Sequence, residues 1–102
     1  TELLNNLQSI GTTYGERLWP LPLWEDYQEH LHSDVADLRN LGTMPLAGAI
    51  TAAKFLENFT NEHAAWAHLD IAGVAFGNTP TSKQKAGTAF GVKLLYEFLQ
   101  EI

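Results

Sequence analysis

The sequence predicts an α/β fold, and three observations predict it. Apolar and polar residues alternate roughly from Val35 to Leu41, the pattern of a short half-buried strand ending at Gly42. A helix of mostly small residues follows over 47–59. A mostly apolar run from Trp66 to Phe76 then reads as a buried strand that delivers a loop to a sheet edge. Strand, helix and strand in that order, from about 35 to 72, make a right-handed parallel crossover.

The remaining elements fall around this unit. Leu3, Leu4, Leu7 and Ile10 share one helical face against Asn5, Asn6, Gln8 and Ser9, which predicts a helix over 2–13. Gly11 weakens that helix and Gly15 is its stop. Residues 16–23 carry Pro20 and Pro22, and each proline pushes its predecessor out of the α region. This stretch is therefore an extended strap or edge strand. Trp24, Tyr27, Gln28 and Leu31 recur at helical spacing behind acidic Glu25 and Asp26, predicting a short helix over 24–32.

Thr43 to Leu46 reads as a turn, and 58–65 as a polar connection. From Gly77 to Gly87 the composition is that of a loop. Phe90, Leu94, Leu95, Phe98, Leu99 and Ile102 make an unbroken apolar stripe, which predicts a closing helix. Two strands are a thin sheet for a free-standing α/β domain, so part of the sheet is expected to lie elsewhere. A start at Thr1 rather than Met likewise reads as a trimmed or excised piece.

Composition narrows the function. The 102 residues are one domain or part of one, and 45% hydrophobic content supports a real core. Twelve acidic against six basic residues give a net charge of −6, with no basic cluster to neutralise phosphates or meet an anionic membrane. The absence of cysteine excludes disulfides, thiolate metal sites and cysteine nucleophiles, and fits a cytoplasmic protein. No apolar run reaches the roughly 18 residues of a membrane span, and no signal peptide is expected.

Four groups of residues invite chemical readings. His30, His32 and Asp34, with Asp37 nearby, are metal-ligand types, but they fall near a helix end, where positions two apart diverge. Solvation or capping of the helix C-terminus is the plainer role. His68 and Asp70 would share a face of the predicted strand, as a base oriented by a carboxylate or as a hydrogen-bonded structural pair. No nucleophile or third ligand is placed to complete them. The turn from Gly42 to Ala49 offers helix N–H groups to an anion, but lacks the Gly-Lys-Ser/Thr ending of a phosphate loop. Thr79 to Lys85, with Lys83, reads as a lid or an ordinary solvated loop.

Several stretches together resemble the C-terminal portion of the leucyl aminopeptidase (cytosol aminopeptidase) catalytic domain. They are Gly15-Glu16-Arg17-Leu18-Trp19 with Leu21-Pro22-Leu23, Ser33 through Gly42, Ala47 through Ala53 with Phe55-Leu56, Trp66 through Gly73, and Gly91-Val92-Lys93-Leu94-Leu95. The resemblance spans nearly the whole chain in order and spacing. It implies one segment over 1–102, the C-terminal part of a mixed or parallel-sheet domain in a homo-oligomer, the hexamer of the family. It also implies a parent enzyme that removes N-terminal residues from peptides with two divalent ions, manganese or zinc, whose bridging water attacks the scissile carbonyl.

The family's ligands and its catalytic lysine and arginine lie in motifs that precede the region matched, and no Asn-Thr-Asp-Ala-Glu-Gly-Arg run occurs here. The resemblance therefore carries no catalytic or metal residue onto this chain, and the segment alone is expected to be inactive. What it does carry is pocket wall: Ala72 and Ala75 match positions that line the pocket for the substrate's first side chain. Some members have a larger residue where Ala75 stands. The rival expectation is a stand-alone, non-catalytic peptide-binding or oligomerisation module.

Overall fold

A computed structural model describes residues 1–39, 41–42, 48–79 and 82–102 of the protein. In order these form helix α1 (Glu2–Tyr14), a 3₁₀ helix (Glu25–Leu31), helix α2 (Gly48–Glu57), strands β1 (Phe76–Thr79) and β2 (Ser82–Gly87), and helix α3 (Val92–Gln100). The chain divides into two compact units, one of Thr1–Pro20 with Leu69–Ile102 and the other of Leu21–His68. Helices with a small two-stranded sheet are compatible with part of an α/β catalytic domain.

In the first unit α1 packs against α3, and Leu7, Ile10 and Leu94 are its buried apolar side chains. The Thr1 hydroxyl caps α1 by accepting the Leu4 N–H at 3.3 Å. At the other end Gly15 takes φ 85° and returns its N–H to the Gly11 carbonyl. That carbonyl also accepts from Glu16 N–H at 2.8 Å. The chain turns so tightly that a Cβ on Gly11 would stand 2.3 Å from the Glu16 carbonyl oxygen. Gly11 is thus a close-approach residue, and the helix propensity it sacrifices is secondary. Gly11→Ala should lower stability by about 1 kcal/mol, the overpacking cost outweighing the gain in helix propensity. A urea midpoint equal to the parent's would show that the turn relaxes.

Tyr14 and Lys93 join the same two helices, with the Lys93 ammonium 5.7 Å from the Tyr14 ring centre. The charge of Glu97, and then loss of water, hold the Tyr14 hydroxyl above its ordinary pKa.

The second unit packs the 3₁₀ helix on α2, burying Leu31, Thr51, Ala53 and Lys54. Gln28 and Asn58 exchange a pair of amide hydrogen bonds, each 3.4 Å, between the end of α2 and the 3₁₀ helix. Asn58 also donates to the Lys54 carbonyl at 2.9 Å, covering one of the last open carbonyls of α2. Phe55 meets Phe59 edge to face at 5.2 Å.

Three expectations about strands need correction. Residues 34–38 bend rather than extend, and Val35 is 97% and Leu41 76% exposed. Alternation alone made no strand, because a strand also needs a neighbour to pair with. Residues 66–75 are irregular and end in a turn, with strand structure beginning only at Phe76. The parallel crossover over 35–72 is accordingly not formed. Conversely, the stretch read as a loop at 77–87 holds most of an antiparallel pair, with Phe76 opposite Gly87 and Gly77 opposite Ala86. Its Gly, Asn, Ser and Lys content hid it because it lacks the apolar alternation of a half-buried strand. Residues 16–24 form neither helix nor strand. The turn expected at 43–46 lies outside the described residues.

Candidate functional site

Of the two alanines singled out by the family resemblance, Ala72 lies in a turn and Ala75 follows directly after it. Asp70 opens it, its Oδ1 accepting the Ala72 N–H at 3.1 Å, the local bond for which aspartate is favoured in turns. Val74 N–H then closes back on the Ile71 carbonyl at 3.0 Å. Ala72 is exposed and Ala75 half-buried, while Gly73 between them has no neighbour within 4 Å of where a Cβ would stand. At Ala72 and Gly73 the turn presents small residues, flanked by the exposed side chains of Ile71 and Val74.

Its far side is held by Thr88. The Thr88 N–H donates to the Ala75 carbonyl at 2.9 Å, and its hydroxyl donates to the Val74 carbonyl at 2.5 Å. The same hydroxyl oxygen accepts the Phe90 N–H at 3.3 Å. One threonine therefore uses its backbone donor and both hydroxyl capacities on the turn and on the approach to α3. No sequence motif marks Thr88. Its acceptors stand 13 and 14 residues back, beyond the reach of local patterning.

The approach to α3 is unusual in its backbone. Ala89 has φ 56° and Gly91, the N-cap, φ 100°. A non-glycine residue in that region costs about 1 kcal/mol or more and persists only where its surroundings impose it. Gly91 offers no capping side chain, and Glu16 supplies one from the end of α1. Its carboxylate accepts Gly91 N–H at 3.0 Å and Leu94 N–H at 2.7 Å. Two of the open donors at the start of α3 are met this way, beside the positive end of the helix.

The two titratable pairs have different fates. His68 and Asp70 do not share a strand face, because no strand forms there; Asp70 serves the turn. His32 Nε2 and Asp34 Oδ1 do meet, at 3.1 Å and in solvent. Ser33 accepts from Val35 and Ala36 N–H groups, which accounts for the bend. Among the described residues no three His, Cys, Asp or Glu gather where they could hold a metal ion. The chain's described residues thus do not fit a two-metal centre. Residues 43–47, 80–81 and the Lys83 side chain lie outside the described residues, and with them most of the Gly42–Ala49 anion-binding reading and part of the Thr79–Lys85 lid reading.

One buried charge was not singled out from the sequence. Lys54 sits in α2 with 2% of its side chain exposed, donating to Glu25 at 2.8 Å, Glu57 at 2.7 Å and the Leu23 carbonyl at 3.4 Å. The signal was available: a lone lysine among Ala52, Ala53, Phe55 and Leu56. The ammonium's three donors are all used, which makes it a structural clamp between α2 and the 3₁₀ helix.

The chain is similar to known proteins over almost its whole length. The model of the cytosol aminopeptidase family, catalytic domain, matches residues 1–96. A probable cytosol aminopeptidase of Chlorobium luteolum is 53% identical over 99 residues, covering 97% of this chain and 19% of the relative. Another from Chlorobaculum parvum is 51% identical over 98 residues, covering 96% and 19%. A probable cytosol aminopeptidase of Rickettsia bellii is 46% identical over 102 residues, covering 98% and 20%. The chain thus spans about a fifth of the length of the curated relatives it matches.

Proposed function

This chain belongs to the cytosol aminopeptidase family, and we propose that it is the C-terminal segment of a catalytic domain that removes N-terminal residues from peptides. The observation that carries the reading is identity near one half along almost the whole chain to proteins bearing that name. Within the parent, which belongs to a mixed or parallel-sheet architecture, this segment supplies scaffold and part of the substrate pocket. Ala72 and Ala75 form the wall for the substrate's first side chain. Support comes from Ala72 and Gly73, which are exposed, small and without a neighbour within 4 Å of a Cβ at 73. Two divalent ions, manganese or zinc, would supply the Lewis acid and the nucleophilic water, held by residues outside this chain. The parent works in the cytoplasm, as its relatives' names support, and assembles as a homo-oligomer.

The test has two arms. The purified 102-residue chain, given manganese and leucine-p-nitroanilide, should release no p-nitroaniline above the blank. A chimaera in which this chain replaces the matching 99 residues of the Chlorobium luteolum protein should release it at a rate within about tenfold of that protein. Turnover by the chain alone, or a folded chimaera without turnover, would refute the segment reading.

One observation favours a second reading, a stand-alone module that binds peptides or its own copies. Val92, Leu95, Tyr96 and Leu99 are all exposed on α3, more apolar surface than a short solvated helix ordinarily shows. A folded but inactive chimaera, together with a chain that self-associates in sedimentation, would decide for it.

A further inference from the structure

We propose that Thr88 is a positioning residue for the aminopeptidase pocket, fixing the turn that carries Ala72 and Ala75 to the start of α3. The inference rests on those alanines being pocket wall. The turn is largely exposed, Ile71 and Val74 included, so packing does little to define its place. What does define it is polar: Asp70 holds the first half through Ala72 N–H, and Thr88 holds the second half through the Val74 and Ala75 carbonyls.

Thr88 is itself anchored. Its hydroxyl oxygen takes Phe90 N–H, and the next backbone group along, Gly91 N–H, is gripped by Glu16. Ala89, in its left-handed conformation, lies inside the loop closed by the first of these bonds, strain that persists because Thr88 and Phe90 are tied across it. The wall is thus hung on a fixed point, the capped start of α3. A pocket wall that drifts loses contact with the substrate side chain in the ground state and the transition state alike. Such a loss raises KM and leaves kcat nearly unchanged.

The test uses the chimaera described above, with substrates bearing leucine or alanine at the N-terminus. Thr88→Val keeps the shape and removes the hydroxyl. It should raise KM for the leucine substrate by about three- to tenfold, the equivalent of one hydrogen bond, with kcat within about twofold. Thr88→Ser restores the hydroxyl and should return KM to the parent value. Ala72→Leu serves as the control on the pocket itself and should depress leucine turnover more than alanine turnover. If Ala72→Leu shifts the preference while Thr88→Val leaves KM unmoved, Thr88 does not position the wall. If Ala72→Leu leaves the preference unmoved, the pocket reading itself fails, and this inference with it. A third measurement needs no activity: in the 102-residue chain, Thr88→Val should move the amide resonances of 72–76 and leave those of α1 in place. Shifts confined to 87–90 would overturn the proposal, as would a loss of fold in Thr88→Val that Thr88→Ser does not repair.

Discussion

Removing both acids that hold Lys54, as Glu25→Ala with Glu57→Ala, destabilises the chain by about 3 kcal/mol, whereas Lys54→Met costs less than about 1 kcal/mol. The asymmetry follows from where each partner sits. The lysine side chain is 2% exposed, but Glu25 is 86% and Glu57 38% exposed. Taking away the lysine frees two carboxylates that already reach water, and methionine fills the space of the stem. Taking away the acids leaves an ammonium in the interior with only the Leu23 carbonyl at 3.4 Å. That charge must then give up its proton or open the contact between α2 and the 3₁₀ helix. The cost stands at the low end for broken buried pairs because the lost partners were themselves hydrated. Urea unfolding of the three chains checks it; a double variant as stable as the parent would show that Lys54 reaches water unaided.

The same site gives a pH dependence of known sign. Burial draws Lys54 down, but hydrogen bonds to Glu25 and Glu57, with their charges, outweigh it and leave the group above its ordinary 10.5. The native state therefore holds this proton more tightly than the unfolded chain does. Its contribution is complete below pH 10.5 and is lost as pH rises through the higher native value. Stability should fall more steeply in the parent than in Lys54→Met above that point. Tyr14, raised as well, is common to both proteins and cancels in the difference.

What could be read without coordinates was whatever a single element carries within itself. Leu3, Leu4, Leu7 and Ile10 repeat at the helical period and Gly15 marks the stop, so α1 was predicted to within a residue. The stripe through Leu94 and Phe98 likewise gave α3. Strands failed in both directions because pairing is not a property of one segment. Val35 to Leu41 has the alternation and no partner among the described residues, whereas the polar stretch after Gly77 pairs across a short connection. The residues that organise the candidate site were the least visible. Ala72 was picked out by family resemblance alone, and nothing in the composition around Thr88 or Glu16 announces bonds spanning 14 and 75 residues. Those bonds exist because backbone donors and acceptors at turns and helix ends must be met by something. Which residue meets them is decided by the fold.

Glu16 is where that dependence has its largest consequence in the first unit. Glu16→Ala should destabilise the chain by about 2.5 kcal/mol, with a thermal midpoint roughly 10–20 °C lower. In an ordinary capping box the N-cap side chain accepts the N–H three residues on, and the side chain there reciprocates to the N-cap N–H. Here the N-cap is Gly91, which has no side chain, and the residue three on is Leu94, which has no acceptor. One carboxylate, brought in by the turn after Gly11, performs both tasks with its two oxygens. Alanine at 16 strands two partly buried donors and withdraws a negative charge from the positive end of α3. The damage reaches the core, since Leu94 is at once the capped residue and the fully buried side chain against α1. Glu16→Gln keeps one neutral acceptor and should recover about half of the loss. Replacing Gly91 by serine would not serve, because its φ of 100° is a conformation that L side chains rarely adopt. The measurement is the urea midpoint of the three chains. An unchanged slope with an ordering of parent, Gln, Ala supports the shared cap, and equal midpoints for Gln and parent would show that a single bond carries it.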